Sequence, residues 1–477
     1  MAQVDSSIFR KYDIRGIATG DTPQLTPEVA RFVGQALGTY LPGKYGTDRM
    51  FVGCDNRLTS DPLKTALIEG VRSTGLNVTD IGPVLTPTVY YASASYGVRG
   101  AGVQVTGSHL DTRYNGIKMA YGKLALSGDQ IQDLLRIIDA ETFITGKGSL
   151  EQDYAMILKH METIGGMVTL AKPLTVVLDA GNGLSGSYVP AVLERLGVTV
   201  HCLYCESDGT YPNHLPNPED PEMTVELEKM VVELGADLGL AFDGDSDRCG
   251  FIDNLGHHIA ADRLLALLAR DLLSRHPGGT IVFDVKASQA LPDEIKKYGG
   301  IPLMWKSGHS LMKAKMNEIG SLLGGEVSGH LFIGENYYGF DDAPLVALKT
   351  LQIIAASDKS IAEIFEEVPK LVATPEIILT APDAVKFTII DEIQAELAKN
   401  YEVVTVDGAR AVFENGWGLV RASNTQPAIT LRFEAYTTDQ IIEYMERFKV
   451  LLSTHPEIDQ TKFDLVIASF KSGEAAH

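Results

Sequence analysis

Three apolar runs end in the same way, and that recurrence limits the folds open to this chain. Met50-Phe51-Val52-Gly53-Cys54-Asp55, Leu174-Thr175-Val176-Val177-Leu178-Asp179 and Thr280-Ile281-Val282-Phe283-Asp284 each read as a strand closed by an Asp and a turn. Stretches of helical period lie between them, at Gly128 to Ala140, Met223 to Leu234 and Asp262 to Arg275. Strands alternating with helices imply parallel or mixed sheets covered by helices. Recurrence at roughly hundred-residue intervals suggests three similar α/β domains in tandem. A chain of 477 residues requires such a division, because single cores rarely grow beyond roughly 250 residues.

The expected fold class is therefore α/β: three tandem similar α/β domains with mixed sheets, then a smaller C-terminal α+β domain. Thr145-Gly146-Lys147-Gly148-Ser149 has linker composition, and Pro369 to Pro382 is punctuated by proline. Beyond it, Val385 to Leu397 mixes strand and helix signals, and Leu431 to Ala435 reads as a strand. The boundaries that follow are 1–153, 154–256, 257–368 and 369–477.

Asp243-Gly244-Asp245-Ser246-Asp247-Arg248 follows the apolar run Leu238 to Phe242 and precedes Gly250-Phe251-Ile252. Three carboxylates so close repel one another unless a cation joins them. A hard divalent ion held by oxygens, Mg²⁺ above all, neutralises them and shares its shell with phosphate oxygens. A calcium EF-hand loop would need Gly at Arg248 and Glu at Asn254. A solvated acidic turn remains the plain alternative.

The balance of 41 basic against 62 acidic residues gives a net charge of −21. That argues against nucleic acid or an anionic membrane as partner, so an anionic substrate needs locally clustered cations. No apolar core follows Met1-Ala2-Gln3-Val4-Asp5, and no uncharged apolar run is long enough to span a bilayer. Cys54 and Cys249 stand alone, and Cys202-x-x-Cys205 has no second pair for zinc. Reduced thiols and a cytoplasmic location are expected.

Four further features carry chemistry. Thr106-Gly107-Ser108-His109 ends the strand Gly102 to Val105, and its glycine permits a turn that presents Ser108. A serine hydroxyl needs a neighbouring base or cation to act as a nucleophile. In Gly325-Glu326-Val327-Ser328-Gly329-His330, period-two spacing places polar side chains on one face. Glu and Ser there suit the paired hydroxyls of a pyranose, and an ordinary polar turn fits equally. Arg421-Ala422-Ser423-Asn424-Thr425-Gln426-Pro427 offers an Arg fork with hydroxyl and amide donors for a phosphate. Arg15, Lys118, Lys286, Lys306 and His309 form a scatter of cations whose convergence only a fold can show.

Together with Tyr12-Asp13-Ile14-Arg15-Gly16, these motifs occur in the order and spacing of the α-D-phosphohexomutases. The resemblance extends over nearly the whole chain, including Tyr211-Pro212-Asn213-His214-Leu215-Pro216. It is strongest to the bacterial phosphomannomutase/phosphoglucomutase branch, through Trp305 to His309 and Gly325 to His330. The resemblance implies a heart-shaped molecule with a central cleft. Ser108 would carry a phosphoryl group, and Asp243, Asp245 and Asp247 would hold Mg²⁺ with a phosphoserine oxygen. Glu326 and Ser328 would grip sugar hydroxyls. Arg421, Ser423, Asn424 and Thr425 would hold the distal phosphate. Arg15, His109, Lys118, Arg248 and His309 would serve catalysis, with Lys118 or His309 handling the proton. Tyr12, Lys286, Lys306 and His330 would bind substrate.

By the same resemblance, hexose 1-phosphate and 6-phosphate interconvert through a phosphoserine enzyme. A 1,6-bisphosphate, also the activator, reorients within the site. The partner is a small phosphosugar, without nucleic acid or membrane, and the chain a monomer. The family loop continues Ser-His-Asn-Pro, whereas here Leu110-Asp111 follow His109. The loss of a proline and the added charge predict a looser loop and slower transfer. They also leave two other readings open, a phosphosugar phosphatase and a non-catalytic sugar-phosphate binder. Phosphoglucosamine mutase is a third alternative, although it more often carries Ala where this chain has Gly107 and a different residue at Val327.

Overall fold

The computed structural model describes residues 4–423 and 427–473. Helix ends follow the side chains available at them. Thr26 caps Pro27–Tyr45, which ends at Gly46 in the left-handed conformation. Asp220 caps Pro221–Leu234, closed by left-handed Gly235. Proline at a first turn and glycine just past a last one fit the donors and acceptors that helix ends leave unpaired.

Four sheets follow one another along the chain. In the first, Gly100–Val105, Arg49–Cys54, Asn77–Pro83 and Leu150–Gln152 lie parallel. Tyr114–Tyr121 and Ile14–Ile17 continue it antiparallel. In the second, Thr199–Leu203, Thr175–Asp179 and Leu238–Phe242 are parallel, followed by antiparallel Cys249–Ile252 and His258–Ile259. The third repeats the plan with Ile301–Trp305, Thr280–Asp284 and Leu323–Gly325, then antiparallel Leu331–Ile333. The fourth is antiparallel throughout and contains Gly416–Ala422 and Ala428–Ala435.

The three α/β units share one apolar core from Phe51 to Val368, including Leu178, Leu240, Phe283 and Leu345. A second core lies within the first unit, and a third fills the C-terminal unit. The last unit is fastened by Arg410, whose guanidinium lies 3.8 Å over Trp417 and donates to the carbonyls of Val285 and Ala287 at 2.6 and 2.8 Å. Those carbonyls flank Lys286. Burial pulls the Arg410 guanidinium down to about 9, with Glu434 opposing.

Three local expectations change. Residues 145–149 are not a free linker: the Gly146 and Gly148 amides donate to Ser73 and Arg72 carbonyls at 2.8 and 2.9 Å. The segment thereby leads Leu150–Gln152 onto the sheet edge. The proline-punctuated stretch likewise holds Val372–Ala373 and Ile377–Thr380, both paired with Ala428–Ala435. The mixed signals after Val385 resolve as the helix Lys386–Leu397. His258–Ile259 pairs with Cys249–Ile252, so the second sheet runs on to Ile259.

Candidate active site

Each unit contributes the tip of one antiparallel hairpin. Residues 106–113 join Gly100–Val105 to Tyr114–Tyr121, and 243–248 join Leu238–Phe242 to Cys249–Ile252. Residues 326–330 join Leu323–Gly325 to Leu331–Ile333, and the fourth tip starts at Ser423. The strand-ending aspartates hold two of these tips from the neighbouring strand. Asp55 accepts the Gly107 amide at 3.0 Å, and Asp284 accepts the Val327 amide at 3.1 Å. Of the two readings, the turn is the one found: residues 326–330 close through the Glu326 amide, which donates to the His330 carbonyl at 2.8 Å.

Ser108 is fully buried with φ 50°, a left-handed conformation that a non-glycine residue keeps only when its surroundings impose it. Thr106 Oγ1 accepts its amide at 2.8 Å, and Arg57 donates to its carbonyl at 2.8 Å. Arg57 also reaches the carbonyls of Leu110, Asp111 and Tyr114, and its Nε lies 3.3 Å from Asp55. One buried guanidinium therefore binds the loop that lacks the family's proline. Asp111 turns to Arg113, with contacts of 2.9 and 3.1 Å. The looser loop expected from Leu110-Asp111 meets a clamp, and the added charge meets a partner. The double change Leu110→Asn, Asp111→Pro removes that exposed ion pair and the bond from the Arg113 amide to Asp111 Oδ1. It should shift stability by less than about 1 kcal/mol and leave turnover unchanged or higher, as steady-state assay and thermal unfolding will report.

The Ser108 hydroxyl donates to Asp243 Oδ2 at 2.9 Å. Arg248 Nη2 lies 3.3 Å from it and His109 Nδ1 3.2 Å. Arg248 also donates to that imidazole nitrogen. The two loops meet closely enough that a Cβ on Gly244 would fall 2.7 Å from the Ser108 carbonyl oxygen. Asp243, Asp245 and Asp247 are all inaccessible, with one oxygen of each within 4.8 Å of the others. Lys118 bridges Asp245, at 2.7 Å, and Asp247. Thr86 Oγ1 donates to Asp245 at 2.6 Å. Burial, then Asp245 and Asp247, raise the Asp243 carboxyl well above its ordinary range. Burial opposes the Lys118 charge, yet the three carboxylates hold that ammonium above its usual value. Asp245 Oδ1 is buried without a hydrogen-bond partner. Converging carboxylates of this kind, beside a serine oxygen, are the donor set of a hard divalent ion.

On the third unit, His309 and His330 stack with ring centroids 5.4 Å apart, and both face Asp341. Glu326 accepts from the Gly308 amide through Oε1 and keeps Oε2 buried and unpartnered. Ser328 is half-buried on the same turn. Tyr12 bridges units, donating to the Ser307 carbonyl at 2.8 Å. Ser307 N–H and Arg421 Nη2 in turn share Asp407 Oδ2, at 3.2 and 2.9 Å. Exposed Lys306 and half-buried Lys11 lie close enough to influence each other. Lys286 sits 3.4 Å from Glu376, and Arg15 pairs with Asp13 at 2.6 Å while repelling a proton from His109. Asn424 and Thr425 lie outside the described residues; Ser423 is buried and donates its amide to the Ala428 carbonyl at 2.9 Å.

The structure thus brings together Ser108, His109, Arg248, Lys118 and the three aspartates at one end, and Tyr12 and Arg421 through Asp407 at the other. Glu326, His309 and His330 stand between. Sequence reasoning missed Arg57 and Asp341. Arg57 follows a strand-ending Asp already singled out by repetition. Asp341 stands in the pair Asp341-Asp342, for which no repeat gives a signal.

His109 and His309 carry a testable pH dependence. Burial, reinforced by Arg248 for His109 and by Lys313 for His309, holds both imidazoles well below 6.5. The unfolded chain therefore binds their protons first, and stability present above about pH 6.5 is lost as pH falls toward the folded values. Each unit of acidification in that window should cost about 1.4 kcal/mol per imidazole. Unfolding midpoints between pH 7 and 5 in the wild type and His309→Gln will show it as a shallower decline in the variant.

The fold and the serine–carboxylate site define a phosphoryl-transfer enzyme of the phosphohexomutase class. Domains I, II and III of phosphoglucomutase/phosphomannomutase, each described as alpha/beta/alpha, match residues 6–145, 158–256 and 260–372, and the C-terminal domain matches 376–449. The chain belongs to the phosphoglucomutase/phosphomannomutase family. It is 43% identical over 459 residues to the phosphomannomutase/phosphoglucomutase of Pseudomonas putida, covering 96% of this chain and 98% of that protein. It is 39% identical to a phosphoglucomutase of Neisseria gonorrhoeae, over 96% of this chain and 99% of the other. A crystal structure of a phosphoglucomutase/phosphomannomutase family protein from Burkholderia thailandensis superposes with a TM-score of 0.89 at 38% identity, covering 95% of this chain and 98% of that one. No described helix is long and apolar enough to cross a membrane.

Proposed function

We propose that this chain reversibly interconverts hexose 1-phosphates and 6-phosphates, of mannose, glucose or both, by way of a phosphoserine at Ser108. The observation that carries the reading is the Ser108 hydroxyl, held 2.9 Å from Asp243 and 3.3 Å from Arg248 beside two further buried carboxylates. Mg²⁺, bound by Asp243, Asp245 and Asp247 with a Ser108 oxygen, would neutralise charge on the phosphoryl oxygens. Arg248 and Lys118 supply fixed positive charge on the same side. Phosphoryl transfer passes through a loose transition state, so such positioning and charge supply most of the catalysis.

The acceptor hydroxyl of the sugar must lose its proton to a nearby base. Lys118, held protonated by three carboxylates, is poorly suited to take it. The neutral imidazole of His309, stacked on His330 and backed by Asp341, suits the task. The unpartnered Oε2 of Glu326 accepts from a sugar hydroxyl, with Ser328 beside it. Arg421, with Ser423, Asn424, Thr425 and Lys306, holds the far phosphate. Tyr12 and Lys286 complete the substrate's surroundings. A 1,6-bisphosphate formed at Ser108 turns end for end, and so meets the metal end with either phosphate.

The Leu110-Asp111 variant gives no support to a phosphatase or a mere binder, since Arg57 fixes the loop backbone. The curated relatives' names favour the mannose and glucose activities over phosphoglucosamine. Incubation with glucose 1,6-bisphosphate and Mg²⁺, followed by peptide mass mapping, should place one phosphoryl group on Ser108. A phosphoryl group elsewhere, or none, contradicts the reading.

A further inference from the structure

Cys202 and Cys205 take no part in the reaction proposed above, yet the fold sets them on one face. Cys202 stands on Thr199–Leu203, the edge strand of the second sheet, and is exposed. Its partner across the parallel ladder is Leu178. Paired residues of neighbouring strands point to the same side of a sheet. Cys202 therefore faces the side on which Leu178 enters the shared apolar core. The chain then bends at Tyr204, which is left-handed with φ 50°. Beyond the bend, Cys205 packs against that same core, and its Sγ lies 3.8 Å from the Leu178 carbonyl oxygen. Leu178 is thus a neighbour of both cysteines. The Cys205 backbone is held in place by the helix Ser185–Arg195, since a Cβ on Gly186 would fall 2.3 Å from its carbonyl oxygen.

Side chains that converge across a short bend are what a disulfide demands. The other two cysteines lack that arrangement. Cys54 and Cys249 are buried on separate sheets. Burial pushes the Cys54 thiol up to about 12 and holds the Cys249 thiol well above its ordinary value. Within the pair the roles differ. Exposed Cys202 is open to a small oxidant, whereas burial, and then the Cys202 sulfur, keep the half-buried Cys205 thiol protonated. Reactive thiols are accessible ones, and a second thiol beside them resolves what they form.

We infer that Cys202 and Cys205 form a reversible redox site, in which Cys202 reacts with a peroxide and Cys205 closes a disulfide. The Cys202 thiolate attacks one peroxide oxygen, the O–O bond breaks, and the departing hydroxide takes up a proton as water. Cys202 is left as a sulfenic acid. The Cys205 sulfur then attacks the Cys202 sulfur and the S–O bond breaks. The leaving hydroxide removes the Cys205 proton and departs as a second water. Two thiols are oxidised, one peroxide is reduced, and a thiol reductant reverses the bond by exchange. The bend leads into Ser207 and Tyr211, each bonded to Asn56 at 2.9 Å. The disulfide therefore lies at the base of a segment that braces the residue next to the Arg57 clamp.

The test treats the full-length reduced protein with a small excess of hydrogen peroxide and follows intact mass, then alkylation after unfolding. The expected product has lost two hydrogen atoms, withholds Cys202 and Cys205 from alkylation, and leaves Cys54 and Cys249 reactive. Dithiothreitol should restore both thiols. Cys205→Ser should stop at the Cys202 sulfenic acid, which dimedone traps. Cys202→Ser should slow peroxide consumption by about tenfold or more. Full alkylation of both thiols after peroxide overturns the inference. So does Cys202 running on to sulfinic acid in the unsubstituted chain, a bond between two chains, or equal oxidation of Cys54 or Cys249. The first measurement uses no variant, so misfolding cannot mask it. Because the readout is the state of two thiols, failure of the mutase assignment would leave this result standing, and the reverse holds equally.

Discussion

Ser108→Ala should lower hexose phosphate turnover by about 10⁴-fold or more, because the account gives the phosphoryl group no other resting place. The fold should survive the change. The Ser108 backbone is held by Thr106 Oγ1, by Arg57 and by the Asp55–Gly107 bond, none of which uses the hydroxyl. Losing the hydroxyl's bond to Asp243 and its contacts with His109 and Arg248 costs about 1–3 kcal/mol, which thermal unfolding will report. A variant that keeps substantial turnover would place the nucleophile elsewhere. One that unfolds would show that the hydroxyl holds the loop, contrary to the geometry.

The second large effect is expected at Arg57, outside the substrate's reach. Its side chain is 1% exposed and faces Asp55, which is inaccessible. It also serves the carbonyls of Ser108, Leu110, Asp111 and Tyr114. Arg57→Ala strands the Asp55 carboxylate and several buried acceptors together, a change of about 3–5 kcal/mol. Arg57→Lys should recover only part, since a point charge cannot reproduce a planar fork with several fixed donors. Denaturant unfolding gives the stability change, and peptide mapping gives the Ser108 phosphorylation that survives. The account predicts a larger loss in Arg57→Lys phosphorylation than in its stability, because the side chain sets the backbone at Ser108. A stability loss under about 1 kcal/mol for Arg57→Ala would contradict the clamp.

Local chemistry explains how far the sequence could be read. The strand-Asp-turn repeat located the central strands of all three α/β units because a buried parallel strand imposes an apolar run, and its end imposes a turn. The cluster of buried carboxylates at Asp243, Asp245 and Asp247 was legible because three acids in five positions have few physical explanations. At residues 145–149 and in the stretch before Pro382 composition is ambiguous: glycine and proline mark exposed linkers and sheet edges alike, and only pairing with Ser73, Arg72 or Ala428–Ala435 distinguishes them. Glu326 was singled out, but the turn that holds it is closed by the His330 carbonyl and anchored by Asp284 on a neighbouring strand. Arg57 acts on Ser108, 51 positions away, and Asp341 on Lys313 and His309, 28 and 32 positions away. No window of sequence contains such a contact.

The most direct test of the central claim is one assay of the purified protein with Mg²⁺ and a trace of glucose 1,6-bisphosphate. Mannose 1-phosphate and glucose 1-phosphate are offered separately, Ser108→Ala is run alongside, and free phosphate is followed. The account predicts 6-phosphates that appear only with Ser108 intact, with little phosphate released, and the relative rates rank the sugars. Phosphate released without isomerisation, or isomerisation undiminished in Ser108→Ala, would contradict it.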